Sequence, residues 1–514
     1  MATQASPSAN LLPSPAERSP VGRAVVIGAG LAGLASALRL VARGYEVTVL
    51  ERGPAPGGRA WQREVNGFVH DGGPTVLTAP FLVDELFGLL GKRREDFLSY
   101  LPVEPWYRFL FAEGGHLDYG PAETLAPQWE RFEGRPGETY PRFREHARAL
   151  FEAGFTQLAD RPFDRPATMA AQVPQLLRLG AYRSAYRATG SYFRDPRLRL
   201  AFSLPALLLG GDPHRVSSIY LMIHELEQRY GVWYPQGGMG ALVRALADLL
   251  VGTGRAECRY GETVVRLETD QHDRVRAVRT AGGGTWPADL AVYNGDPVLL
   301  YRDLLPSSSL SAVERIRART GQHSFGVYVV YFGLRREYPE VAQHTILVDR
   351  DERSSLRTIC RGEGIADRLH LYLHRASATD PEMAPAGGDS FYCLCPVPNL
   401  ERATLDWAVE GPQLRERILD RLEETVLPGL RTSLDHSFAV DPHDFEDRLL
   451  SFRGAGFGLA PLLHQSAYFR FHNRADRPAN LFLAGAGVHP GAGVPGVLSS
   501  ARALERLLPQ VSPS

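Results

Sequence analysis

The stretch AVVIGAGLAGLASALRLVARGYEVTVLE, Ala24 to Glu51, decides the fold. Ala24 to Ile27 is a short apolar, β-branched run suited to a strand buried on both faces. Gly28, Gly30 and Gly33 follow in G-x-G-x-x-G spacing, Leu34 to Arg43 carries helix-forming residues, and Gly44 is placed to end the helix. Tyr45 to Leu50 reads as a second strand, and Glu51 stands at its end, where an acid can meet the ribose hydroxyls of an adenine dinucleotide. The three glycines do different things. Gly28 permits the turn, Gly30 lets backbone approach a pyrophosphate, and Gly33 lets helix pack on strand. The candidate binding residues here are Gly28, Ala29, Gly30, Leu31, Ala32 and Gly33 in the turn, and Glu51 with Arg52. Ala24 to Ala42 is apolar except for Ser36 and Arg39 and approaches the length of a membrane span. Its glycines and the strand behind it explain it better, so no transmembrane segment is expected.

Around this unit lies a chain of 514 residues, long enough that two domains are expected. A formal net charge of -1 gives no global attraction to nucleic acid, so no nucleic-acid partner is expected. Cys258, Cys360, Cys393 and Cys395 form neither a CxxC pair nor a disulfide framework, which fits a reducing cytoplasm. Histidines run from His70 to His489 without metal-ligand spacing, and no metal site is expected. Residues 1–21, rich in Ser, Pro and Ala, read as a flexible tail.

Two more glycine-rich segments carry candidate site residues. After Glu51 the chain reads RGPAPGGRA, then NGFVHDGGPTVLT from Asn66 to Thr78. Asp71, just before Gly72-Gly73-Pro74, is either a catalytic carboxylate beside the cofactor or the cap of a turn. Near the other end, NLFLAGAGVHPGAGVPGVLSSARALERLL begins at Asn480. Its apolar strand meets a glycine turn, and a helix starts around Gly496 and Val497, offering free N–H groups and a positive dipole to an electron-rich ring. His489 in that turn either approaches the cofactor as a catalytic group or is satisfied by backbone.

The terminal segment GAGVHPGAGVPGVLSSA resembles the signature of bacterial phytoene desaturases, a family of amine oxidase-like, FAD-dependent flavoproteins. Further stretches agree with it: GGPTVLT at Gly72, SSIYLMIHELEQRYGVWYPQGGMGAL at Ser217, NGDPVLLYRDLLP at Asn294, CLCPVPNL at Cys393 and QSAYFRFHNR at Gln465. The resemblance covers roughly residues 22 to 508. It implies an α/β fold with a Rossmann-like FAD-binding domain made of discontinuous segments, residues 22–75, 231–300 and 445–508, and a mixed α+β substrate domain, residues 76–230 and 301–444. It also implies FAD contacts at Gly58 and Arg59, at Gly73 and Pro74, at Val264 beside the adenine, and at Gly485, Gly487, Gly496 and Val497. The chain departs from the wider relatives at Ala486, where an acid is common, at Val488 in place of Thr, and at Thr168 before Met169.

The activity implied is FAD-dependent desaturation of phytoene towards lycopene. A polyene has no amine, hydroxyl or carboxylate to grip, so recognition rests on an apolar tunnel, and little acid-base machinery is needed. Desaturation of a hydroxylated or shorter carotenoid, a redox-neutral isomerase, and a protein that only carries carotenoids are the competing readings. With a single G-x-G-x-x-G unit, electrons are expected to leave to a quinone or to oxygen rather than to a nicotinamide. Leu176, Leu179, Tyr182 and Tyr186 fall at helical spacing among Arg178, Arg183, Arg187, Arg194, Arg197 and Arg199. This pattern is either a core helix with a basic solvated face or a patch that attaches the protein peripherally to the cytoplasmic membrane surface.

Overall fold

The computed structural model describes residues 22–133 and 139–509. The tail expected over residues 1–21 lies outside them. The opening strand, Arg23–Ile27, is the middle of a five-stranded, wholly parallel sheet in the order Leu481–Leu483, Leu290–Tyr293, Arg23–Ile27, Glu46–Glu51, Ala256–Tyr260. Its strands thus come from three separated stretches of chain.

The apolar run is buried on both faces because each face has its own cover. Ala24 and Val26 pack in the cluster built around the helices Leu31–Ala42, Gly238–Val251 and Val494–Glu505. Val25 and Ile27 face the other way, towards Leu267 and Val278 of a small antiparallel sheet, Val264–Thr269, Val275–Thr280 and Thr285–Pro287. The helix Leu31–Ala42 is buried from Leu31 to Val41. Its one charge, Arg39, is compensated by Glu85 at 2.9 Å and by Glu505 of the last helix, and Ser36 donates back to the Ala32 carbonyl at 2.7 Å. Among the described residues no helix is long and apolar enough to cross a membrane.

A second, seven-stranded sheet runs in the order Leu434–Val440, Gly326–Leu334, Asp389–Val397, Leu371–Arg375, His344–Val348, Tyr107–Phe111, His116–Tyr119. It is antiparallel except for the pair Thr345–Val348 with Arg108–Phe111. One face, with Val330, Phe332, Cys393 and Cys395, is covered by the helix Trp407–Thr425 through Leu414, Ile418 and Leu422. The alternate residues, Val327, Val329, Tyr392 and Leu394, face a large cavity.

The spacing over Leu176 to Tyr186 does not form one helix. The helix Pro166–Arg178 stops there, Gly180 takes φ +67°, and a short helix, Ala185–Thr189, restarts under a Ser184 cap. Leu179 and Tyr186 turn inward onto the neighbouring core, whereas Leu177 and Tyr182 are left 56% and 64% exposed. No residue of Pro166–Arg178 is buried.

Candidate cofactor site and substrate cavity

A cavity of about 1350 Å³ begins at the carboxyl ends of the parallel strands and continues beneath the seven-stranded sheet. That position, outside the carboxyl edge of a parallel sheet, is where such sheets bind nucleotides.

The glycine turn is built by close contact. Gly28 has φ +100°, a conformation that suits residues without a side chain. A Cβ on Gly33 would stand 2.0 Å from the Gly28 carbonyl oxygen, so only glycine lets the helix begin so near the strand. Gly28, Gly30, Leu31 and Ala32 line the cavity, and Gly33 and Ala29 stand behind them. The Ala29 N–H donates to Glu51 at 2.7 Å, and the other Glu51 oxygen accepts from the Gly53 N–H at 2.7 Å. Glu51 therefore ties the ends of the first two strands together while lining the cavity. Asn294, at the end of the next strand, completes the junction. With its amide oriented to satisfy its neighbours, it accepts from the Gly33 N–H at 3.1 Å and donates to the Ala484 carbonyl at 3.3 Å.

Gly58 comes over this turn, close enough that a Cβ would lie 3.4 Å from the Gly30 Cα. Next to it, Arg59 is held by the Ser451 hydroxyl at 2.7 Å, and burial pushes its pKa below the usual guanidinium value. Arg52 donates to the Asp447 carbonyl, and Val264 closes the same end of the cavity. Gly73 and Pro74 line the middle, where the Gly73 carbonyl accepts from the Tyr392 hydroxyl at 3.0 Å. Gly485, Gly487, Gly496 and Val497 also line the cavity. Gly485 has φ +121°, and a Cβ on Gly487 would meet Pro297 at 2.2 Å. The Val494–Glu505 helix thus starts at the cavity wall, its unpaired N–H groups at that end.

The two catalytic candidates stand apart from this cavity. Asp71 is buried, and its carboxylate accepts from Tyr234 Oη at 2.6 Å, Met239 N–H at 3.0 Å, Gln62 Nε2 at 3.1 Å and Gly240 N–H at 3.4 Å. It caps the helix Gly238–Val251, and burial pushes its pKa up against the pull of those donors. His489 packs on Phe163 with ring centroids 4.7 Å apart, and its Nε2 meets the Leu158 carbonyl at 3.0 Å. Burial lowers its pKa to about 4, so it is neutral at ordinary pH.

Three charged groups in the wall escaped the sequence reading. Arg470 is 2% exposed and donates to the carbonyls of Val488, Leu459 and Ala486, which fixes the terminal turn. Asp296 accepts from the N–H groups of Val298 and Phe452. Glu227 is among the residues that line the cavity, and its pKa is pushed up to about 8 by burial, against the pull of the Tyr107 hydroxyl at 2.9 Å and of the Tyr119 hydroxyl. All three stand in QSAYFRFHNR, NGDPVLL and SSIYLMIHELEQRYG, segments singled out for their resemblance. The signal available was a charge inside an otherwise apolar motif.

The donor set at the nucleotide end fits FAD. The glycine cradle, the helix N-terminus and half-buried Arg59 suit a pyrophosphate, and Arg59 and Arg470 together outweigh the nearby Asp296 carboxylate. Away from that end, Leu204, Leu208, Ile223, Ile346 and Leu371 make the wall apolar.

Comparison with known proteins places the chain. The family described as flavin containing amine oxidoreductase matches residues 31–503. A lycopene-forming phytoene desaturase of Pseudescherichia vulneris is 43% identical over 490 residues, 95% of this chain and 99% of that protein. One from Pantoea ananas is 42% identical over 484 residues, 94% of this chain and 98% of that protein. Among solved structures, an oxidoreductase from Methanosarcina mazei superposes with a TM-score of 0.62 at 18% identity, over 94% of this chain and all of that one, a likeness of fold. The chain belongs to the flavin containing amine oxidoreductase family, among its phytoene desaturases, and is an FAD-dependent oxidoreductase.

Proposed function

We propose that this protein desaturates phytoene in successive steps towards lycopene. The observation that carries the reading is that cavity, polar and glycine-built at one end and walled by aliphatic side chains at the other. Gly28 to Gly33 and Arg59 would hold the pyrophosphate, Val264 the adenine end, and Gly73, Pro74 and the Gly485–Val497 turn the ring. Bound there, FAD supplies the acceptor for a hydride from the substrate. The protein's own work is to orient the polyene by shape, keep water out, and hold the ring against it.

A hydrocarbon substrate is collected from lipid. The helix Pro166–Arg178 packs against the turn Ala467–Phe469, which sets the elements carrying exposed Val173, Leu177 and Phe469 side by side; Arg178 ends the helix, and exposed Tyr182 with Arg183 and Arg187 follows it in the chain. Pro461 lines the cavity, and Leu463, two residues on, is exposed, so this region adjoins the cavity wall. It is the face proposed to lie on the cytoplasmic membrane surface, where a quinone, or else oxygen, would take the electrons.

The test is incubation of the FAD-loaded protein with phytoene in liposomes under air or with a quinone. A red product with extended conjugation is expected. Geometric isomers alone would indicate an isomerase, and turnover only of a hydroxylated or shorter carotenoid would change the substrate.

A further inference from the structure

Among the described residues the buried acids are, with one exception, well partnered. Asp71 has its four donors, and Asp389 is met by Arg375 at 2.9 Å, Tyr338 N–H at 2.6 Å and Ser377 Oγ at 2.6 Å. Glu225 is paired with Arg144, Arg148 and Arg229. Glu227, one turn or less along the same helix, is different. One oxygen accepts from Tyr107, and the other, fully buried, makes no hydrogen bond, the Tyr119 hydroxyl near the carboxyl being engaged with His224 Nδ1; among the described residues it is the one carboxylate oxygen in that condition. The residue is 1% exposed and is one of those that line the cavity. A buried acid left half-satisfied destabilises the fold, which a purely structural residue has no reason to do.

We propose that the Glu227 carboxylate is the base that takes the proton lost from the polyene in each desaturation. This rests on the desaturase reading. Forming each double bond breaks two C–H bonds on neighbouring carbons. One hydrogen departs with its electron pair to the flavin; the other leaves as a proton to the free Glu227 oxygen, and the pair it leaves behind closes the new C=C bond. The carboxyl then returns its proton to solvent before the next step.

The surroundings make Glu227 the group that titrates near neutrality. Tyr107 and Tyr119 face it from the strands Tyr107–Phe111 and His116–Tyr119, and burial holds both phenols well above their ordinary pKa. His224, on its own helix, bonds Tyr119 and Tyr140 and is lowered to about 3. Beyond Tyr107, Tyr372 is raised to about 12 and His344 lowered to about 3. On the adjacent helix Thr139–Phe151, Arg144 and Arg148 are engaged by Glu225, and Arg142 is exposed. A pKa of about 8 then leaves a base matched to a near-neutral working pH.

The test compares wild type, Glu227→Gln and Glu227→Asp as full-length, FAD-loaded protein on phytoene liposomes across the neutral and alkaline range. Alongside the rate, flavin content, phytoene retention and the infrared band of a buried protonated carboxyl are measured. For wild type the rate is expected to climb about tenfold per pH unit to near pH 8 and then level. The carboxyl band should fade over the same interval. Glu227→Gln should keep flavin and phytoene, lose the band, and turn over at least about 100-fold more slowly with no climb. Glu227→Asp should keep the climb at a reduced rate, and it carries the test if the glutamine variant fails to load flavin. A glutamine variant that matches wild type in rate and profile overturns the base, as does loss of phytoene retention in both variants. If wild type makes no conjugated product at any pH, the desaturase reading fails, and the base with it.

Discussion

The carbonyl oxygen of Gly28 lies 2.0 Å from where a Cβ on Gly33 would be. No rotamer relieves that clash, because both partners are backbone. Gly33→Ala must push the Leu31–Ala42 helix off the sheet, at a cost of about 1–3 kcal/mol, and widen the turn that cradles the pyrophosphate. The expected outcome is loss of bound FAD with a lower melting temperature, read by flavin absorbance after desalting and by thermal unfolding. Full flavin content in this variant would remove the nucleotide role from the turn.

Asp71 and His489 are expected to be structural. Asp71→Asn leaves a buried Tyr234 hydroxyl and two backbone N–H groups with a poorer acceptor. It should cost roughly 1–3 kcal/mol of stability while sparing the pH dependence of the remaining activity. His489→Asn should likewise leave the profile between about pH 6 and about pH 9 unchanged, since burial keeps the imidazole neutral throughout. A shifted profile in either variant would return that residue to the chemistry.

Glu227 also links stability to pH. Its folded-state pKa, about 8, stands above the ordinary 4.5. Its contribution is therefore fully present below the ordinary value and is lost as pH rises through the folded one. Between those limits the loss approaches about 1.4 kcal/mol per pH unit. Relative to wild type, Glu227→Gln should gain stability on going from about pH 5 to about pH 8, as followed by melting temperature at each pH. A constant difference across that range would mean the carboxyl does not stay protonated in the fold.

The opening strand, turn, helix and second strand were legible because each depends on neighbours in sequence: Gly28, Gly30 and Gly33 act on each other's backbone. The cavity-lining positions of Glu51, Gly58, Gly73, Val264 and Gly485 follow from the same local chemistry or from resemblance. What escaped depends on distant partners. The donors that occupy Asp71 come from Tyr234, Met239 and Gly240, far along the chain, so nothing near Asp71 marks it as a helix cap. Glu227 stands on the same helix as paired Glu225 and is distinguished only by one carboxylate oxygen left without a hydrogen bond in three dimensions. The period over Leu176 to Tyr186 misled because Gly180 ends the helix between its members.

At the proposed membrane face, Leu177→Glu with Tyr182→Glu replaces two exposed apolar side chains by charges. Losing that buried area should weaken association with anionic liposomes about tenfold or more, while leaving flavin content unchanged. Arg183→Glu with Arg187→Glu should weaken it mainly at low salt. Co-sedimentation with vesicles at two ionic strengths reads both effects. Unaltered binding in all of these variants would place the contact elsewhere.

The most direct test of the whole account is the stoichiometry of electrons against conjugation. FAD-loaded protein is given phytoene in liposomes with a limiting quinone in the absence of oxygen, and quinone reduction is followed together with the product spectrum. One quinone is expected to be reduced for each new double bond, with absorption moving stepwise to longer wavelength until the quinone is spent. A change in the polyene spectrum with no quinone consumed would contradict it.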